Sequence, residues 1–191
     1  MRHTLLTIGL VLLAATASAA APDFTISSPA FNKDLKTLPP EQIGNQPGCN
    51  GPNQSPAVSW KDLPSGTKSV AVTLFDQDAN KGGGLWHWVV FNIPPTAGGL
   101  PANAGAAADM ASSGTMPLGA QMGKNDTGDY AYIGACPPVG ERDHRYLLTV
   151  WALAIDALPE EAGLSGTAFK GYLDKYAIAS KNLSAKYGRK K

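Results

Sequence analysis

Hydrophobic and polar positions alternate most clearly between Ser69 and Pro94. Successive strand side chains point to opposite faces, so Val70, Val72 and Leu74 form one apolar row that ends in the carboxylate of Asp76, with Asp78 continuing just beyond. The chain turns through Lys81-Gly82-Gly83-Gly84 and returns with His87, Val89, Phe91 and Ile93 on a shared parity. An imidazole therefore heads the second row, and two acids and a histidine are expected at one sheet edge. A third segment repeats the pattern: His144, Tyr146, Leu148 and Val150 share one parity, Arg145, Leu147, Thr149 and Trp151 the other. That spacing predicts a strand covered on both faces, with an imidazole and a phenol at its head.

Shorter elements surround these. Phe24 to Pro29 reads as a strand ended by a proline, Ala57 to Trp60 as another, and Ile178 to Tyr187 as a further short strand able to pair into the main sheet. Leu164, Ala168, Gly171, Tyr172 and Lys175 recur at helical spacing over about three turns, with Ser165 or Thr167 as N-cap. Residues 31–56 hold Pro39-Pro40, Pro47-Gly48, Asn50-Gly51 and Pro52, turn chemistry that predicts one long surface loop. Thr96 to Gly123 is rich in small residues and suits either a mobile loop or a packed coil. With Gly at 21 and Pro at 15, and few long helical patterns, the chain is expected to be mainly β.

The N-terminus changes the picture of where the chain works. Arg2 and His3 precede an apolar run from Leu5 to Ala15 and a small-residue Ala17-Ser18-Ala19 site. This is the pattern of a secretory signal peptide over residues 1–19, with a run too short for an ordinary transmembrane span; an uncleaved anchor is the alternative. The remainder is long enough for one domain with a real core, over roughly residues 23–188, and no composition break argues for two. The whole chain carries 16 Lys+Arg and 15 Asp+Glu. The signal removes Arg2 alone and leaves the charges in balance, against the basic stripe of a nucleic-acid binder. Arg189-Lys190-Lys191 reads as a solvated basic tail. Two cysteines, Cys49 and Cys136, remain in a chain expected in the periplasm or beyond it, where pairing is favoured; two small buried thiols are the alternative.

These residues together resemble the phosphatidylethanolamine-binding proteins (PEBP), also called Raf-kinase-inhibitor-like proteins, in their bacterial YbhB/YbcL-like branch. The resemblance is carried by Cys49-Asn50-Gly51 with Ser55-Pro56, by Asp76-Gln77-Asp78-Ala79, by Trp86 to Pro94, by Gly134-Ala135-Cys136-Pro137-Pro138 and by His144-Arg145-Tyr146. It implies a mainly β fold, a large antiparallel sheet packed on a smaller one with Greek-key connections and a few peripheral helices. It also implies a small anion pocket, in which Asp76 and Asp78 match the acids of the family's D-P-D-A-P motif and His87 the histidine after the glycine-rich connection. Gly134, Ala135, Cys136, Pro137 and Pro138 match the loop that floors the pocket, and His144 and Tyr146 match the H-R-Y motif. Gln77 and Asn80 depart from the family pattern, which usually has prolines there, and predict a less restricted connection after Asp78.

Imidazoles, a phenol and loop amides can donate to phosphate oxygens, and a buried anion favours a protonated histidine. The acids can orient a histidine or accept from the ammonium of a head group such as phosphoethanolamine. Blander roles compete: Asp76 capping loop amides, Arg145 pairing with an acid, Trp86 and Trp88 packing the core or rim. A binding module with a small anionic ligand leads, with regulation of an unidentified protein partner as an added role, no cofactor, no nucleic acid and no stable membrane insertion after signal cleavage. The family's eukaryotic members are linked to inhibition of kinases and proteases, but an exported protein would not meet a cytosolic kinase, so that label is a name only. The alternatives are a hydrolase-like enzyme using the Asp/His pocket and a metal protein using His87, His144 and an Asp. No G-x-S-x-G elbow, P-loop or H-E-x-x-H motif supplies a nucleophile or fixed metal site, so catalysis is left open and disfavoured.

Overall fold

A computed structural model describes residues 23–32, 37–106 and 116–191. The expected signal peptide, residues 1–19, lies outside the described residues. In chain order the strands are β1 (Thr25–Ser27), β2 (Val58–Lys61), β3 (Ser69–Asp76), β4 (Leu85–Ile93), β5 (Gly99–Leu100), β6 (Gln121–Met122), β7 (His144–Leu153) and β8 (Ala177–Tyr187). They form a three-stranded sheet in the order β1-β2-β5 and a five-stranded sheet in the order β6-β4-β3-β7-β8, with antiparallel pairing throughout. The large-sheet-on-small-sheet expectation holds.

β3 is central because both of its faces are apolar, as a strand covered on two sides requires. Val70, Val72 and Leu74 face the small sheet, in a core shared with Trp88, Val90 and Ile93 of β4, Tyr146, Leu148 and Val150 of β7, and Val58 and Trp60 of β2. Ala71 faces the other way, into a second core with Val89, Phe91, Leu153, Phe169 and Leu173. Each such buried aliphatic side chain contributes about 1.5–3 kcal/mol. Between β3 and β7 the Trp151 indole N–H donates to the Thr73 hydroxyl at 3.0 Å.

The second core lies under the helix Gly166–Tyr176, which Ser165 caps by accepting the Ala168 N–H at 3.1 Å. The helix is where the spacing placed it, but it buries Gly166, Phe169 and Leu173, and Leu164, expected on its face, precedes it at the end of a 3-10 turn and is exposed. Gly166 permits the close approach of the helix to Trp86, because a Cβ there would clash with the Trp86 ring. The final strand, Ala177–Tyr187, lies where expected to within one residue and pairs with β7 over its whole length, from Leu153 with Ala177 to His144 with Tyr187.

The long-loop reading of residues 31–56 needs correction. The Pro39-Pro40 pair starts a single 3-10 turn, and Phe31, Leu38, Gln42 and Ile43 are buried. Ile43 forms a parallel bridge with Ala135, so this segment is part of the body of the protein. Thr96 to Gly123 supplies the two-residue strands β5 and β6, and residues 107–115 within it lie outside the described residues. The C-terminal tail is also more than a solvated end: the Arg189 guanidinium donates to the carbonyls of Pro137 at 2.6 Å and Gly48 at 2.7 Å.

Candidate functional site

Asp76 is the last residue of β3 and sits in register between Leu85 of β4 and Tyr146 of β7, with its side chain buried. Its two oxygens do different work. Oδ1 accepts the N–H groups of Asp78 at 2.8 Å and Ala79 at 3.2 Å, an Asx-type turn that shapes the connection to β4. Oδ2 meets His144 Nδ1 at 2.7 Å, and His144 Nε2 lies 3.2 Å from Glu141 Oε2. Burial pulls the His144 pKa down, but hydrogen bonds to Asp76 and Glu141 and their charges outweigh it and hold the imidazole above its ordinary value. Both the orienting and the capping roles of Asp76 are thus present in one carboxylate.

Asp78 is consumed by the protein. Oδ1 accepts from Arg142 Nη2 at 2.6 Å, and Oδ2 accepts the Arg145 backbone N–H at 2.8 Å. The acid therefore pairs with Arg142, not with the side chain of Arg145.

His87 reaches the same place by a route the alternation did not predict. The register of β3 with β4 shifts between Leu74 and Phe75, which pair with Trp88 and Trp86 and leave His87 as an extra residue. This is the geometry of a bulge, in which one residue is left unpaired and re-aimed. His87 turns to the Asp76 side, where its ring lies edge-on to Tyr146 with centroids 5.3 Å apart. Val89 and Phe91, expected on the His87 face, belong instead to the core under the helix. Nδ1 of His87 lies 2.6 Å from the Ile133 carbonyl, so Nδ1–H donates, and Nε2 has no partner among the described residues. Burial lowers the His87 pKa, against the opposing pull of that hydrogen bond and of Asp76. Among the described residues the Tyr146 hydroxyl is buried without a hydrogen bond of good geometry, and burial, with the charge and the hydrogen-bonding pull of the Asp76 carboxylate, raises its pKa. Trp86 and Trp88 pack, the first against Phe75 at 4.8 Å between ring centroids, the second in the core between the sheets.

The floor follows from close backbone approach. A Cβ on Gly134 would lie 2.5 Å from the Gly44 nitrogen, and the Gly134 N–H donates to Asn53 Oδ1 at 2.6 Å. The Ala135 N–H goes to the Gln42 carbonyl, and Pro137 and Pro138 have none. Among the described residues, the floor amide left for a guest is that of Cys136. Ala135 itself is buried and does not line the cavity. A disulfide joins Cys49 to Cys136, with Cα atoms 5.8 Å apart.

These groups surround one cavity of about 690 Å³. Asp76, Asp78, His87, Gly134, Cys136, Pro137, Pro138, His144 and Tyr146 line it, joined by residues not foreseen as site residues: Gln46, Lys81, Glu141 and Arg142. Three acids and three cations can meet there, but most are paired with one another; Lys81 has no ion pair among the described residues. Lys81 was visible in the sequence only as the head of the glycine-rich connection. Among the described residues no cluster of three or more His, Cys, Asp or Glu is placed to hold a metal ion. No described helix is long and apolar enough to cross a membrane.

The family model for phosphatidylethanolamine-binding protein matches residues 28–188. The chain is 39% identical to YbcL of Escherichia coli over 186 residues, covering 95% of this chain and 97% of that one. It is 38% identical to YbhB of the same organism over 155 residues, covering 81% and 94%. The crystal structure of Escherichia coli YbcL, described as a new member of the mammalian PEBP family, superposes with a TM-score of 0.79 at 36% identity, covering 87% of this chain and 99% of the other. A PEBP homolog from Chlamydia trachomatis superposes with a TM-score of 0.66 at 26% identity.

Proposed function

This chain belongs to the phosphatidylethanolamine-binding protein family, in its YbcL/YbhB branch, and on that premise we propose that it is an exported binding protein whose cavity takes a phosphate-bearing or similar small anion. The observation that carries the reading is the buried Tyr146 hydroxyl, which has no hydrogen bond of good geometry among the described residues, on a cavity also lined by His87, whose Nδ1 alone is bonded, by Cys136 and by the exposed Lys81. Buried polar groups are ordinarily paired, so an unpaired one on a cavity is suited to a guest that supplies the partner. Phosphoethanolamine fits this set: its phosphate is met by Lys81 and Tyr146, and its ammonium by Glu141, which lines the cavity and bonds His144 through Oε2 alone. Asp78 acts here as a support for Arg142 and the connection after β3. Export is supported by the N-terminal pattern and by the disulfide, which persists in oxidising compartments. Regulation of a protein partner is an added role that the surface around the cavity would serve.

Titration with phosphate and phosphoethanolamine, followed by NMR beside His87→Ala and Asp76→Ala, tests the reading. Saturable shifts at His87, His144 and Gly134 to Pro138, weakened at least tenfold in either variant while the fold persists, are expected. Spectra unmoved at millimolar ligand would count against a small-anion pocket for these compounds.

A further inference from the structure

His87 meets the cavity through a single nitrogen. Its Nδ1–H is committed to the Ile133 carbonyl, which fixes the ring and leaves Nε2 as the atom offered to a guest. Burial lowers the pKa of this imidazole below its ordinary value, so at and above neutral pH Nε2 carries a lone pair. A phosphate dianion also presents only acceptors. The two cannot meet at hydrogen-bond distance without a proton between them.

The groups around His87 leave few sources for that proton. Asp76 faces it from β3, His144 and Tyr146 from β7, and Asp126 acts on it from the loop whose carboxylate accepts the Trp86 N–H at 2.8 Å. Lys81, Asp78, Glu141 and Arg142 stand at the cavity wall. Asp76 and Asp126 favour a charged His87, and His144 opposes it. The protons of His144 are already directed at Asp76 and Glu141, and the Arg142 guanidinium at Asp78. Tyr146 can donate its single hydrogen to one guest oxygen, but not also serve the contact at Nε2.

We propose that the cavity takes its anion together with one proton, held between His87 Nε2 and a guest oxygen, so that the favoured ligand class is a phosphate monoester and binding weakens as the pH rises. This rests on the anion reading above. The proton arrives either from solvent onto Nε2 or on the guest as a P–OH group, and both routes give the same complex with no heavy-atom bond made or broken. Phosphate monoesters lose their second proton near pH 6. Above neutrality the free partners are therefore neutral imidazole and dianion, and the complex draws one proton from the buffer.

Calorimetric titration of the purified protein with methyl phosphate at pH 6.5, 7.5 and 8.5, and at pH 7.5 in two buffers of different ionisation enthalpy, tests this beside His87→Gln, which places an amide donor near the same position. The expected result is a Kd that rises about tenfold per pH unit above pH 7, with a buffer-dependent enthalpy that reports close to one proton taken up. Both effects should be lost in His87→Gln. A parallel titration with sulfate, which stays fully ionised over this range, separates the sources: uptake of a proton with sulfate places it on His87, whereas binding of methyl phosphate alone places it on the guest. Binding whose Kd and enthalpy ignore pH and buffer would overturn the coupling and leave the anion pocket standing. Coupling that persists in His87→Gln would place the proton away from Nε2 and overturn the role of His87. No binding at millimolar methyl phosphate at pH 6.5 would overturn both readings. Should the variant fail to fold, the ¹⁵N shift of His87 Nε2 on ligand addition decides the same question in the parent protein.

Discussion

His87 and His144 share one cavity but are driven in opposite directions, and the sign of each has a consequence for stability. His144, held by Asp76 and Glu141, binds its proton more tightly in the folded chain than in the unfolded one, where a histidine titrates near 6.5. Its stabilising contribution is complete below about pH 6.5 and is lost as the pH rises through its higher folded value. His87, buried and neutral, resists protonation when folded. Its contribution is present above about pH 6.5 and is lost as the pH falls through its lower folded value. Urea midpoints measured from pH 5 to 9 should therefore pass through a maximum near neutrality. His144→Asn should flatten the alkaline limb and His87→Asn should soften the acid limb. An alkaline limb with the same slope in His144→Asn as in the parent would show that the Asp76–His144–Glu141 contact is not what sets it.

The connection between β3 and β4 shows how an element is held when its family-typical residues are absent. Asn80, Lys81 and Gly82 occupy the left-handed region at φ of 51°, 58° and 91°, which a proline ring, fixed near −65°, cannot enter. Asn80 also donates from Nδ2 to the Gly84 carbonyl at 2.9 Å, and the Gln77 N–H, which a proline would lack, donates to the Arg145 carbonyl at 3.0 Å. The two departures from the proline pattern thus give a connection held by hydrogen bonds, where the sequence alone suggested a looser one. Asn80→Pro should destabilise by more than about 1 kcal/mol, while Asn80→Gly should stay within about 1 kcal/mol of the parent. Chemical denaturation checks both, and an Asn80→Pro variant as stable as the parent would mean that the connection re-forms around an ordinary φ. The same hairpin marks where the sequence was legible. β3 and β7 are regular opposite each other from end to end, so counting by twos placed Asp76, His144 and Tyr146 correctly. β4 is not: its register shifts near His87 and again between Val90 and Ile93, where Asn92 adopts a φ of 56°. A one-residue shift exchanges faces, so the row expected to run from His87 through Val89 and Phe91 does not exist. His87 joined the acids because of the bulge, not because of its parity. In the helix, spacing identified the element and Ser165 its cap, but not the close approach to Trp86 that Gly166 permits, a contact between residues far apart in the chain.

At the scale of the molecule, the cavity floor is tied down from two directions that the sequence keeps far apart. The Cys49–Cys136 bond spans a sequence separation of 87 and joins the segment before the central strands to the floor loop. Arg189, beyond the last long strand, bridges the neighbouring carbonyls of Gly48 and Pro137, and its own carbonyl accepts the Gly140 N–H at 2.8 Å. The covalent and the hydrogen-bonded ties therefore hold the same two loops against each other. Removing the disulfide by Cys49→Ser with Cys136→Ser should cost roughly 2–5 kcal/mol, because the long loop it closes becomes free in the unfolded chain. Arg189→Ala removes two hydrogen bonds from a charged donor, each worth about 1.5–3 kcal/mol at most where the geometry cannot relax. With the disulfide intact, the loops stay in place when Arg189 is lost and water reaches the freed carbonyls, so the cost should fall well below that sum. Without the disulfide, Arg189 is the remaining strap, and its removal should also open the floor beneath His87. A double-mutant cycle should accordingly return a coupling of more than about 0.5 kcal/mol, with Arg189→Ala costing more in the serine background than in the parent. Equal costs in the two backgrounds would show that the straps act independently, and that the C-terminus is fastened near the cavity without supporting its floor.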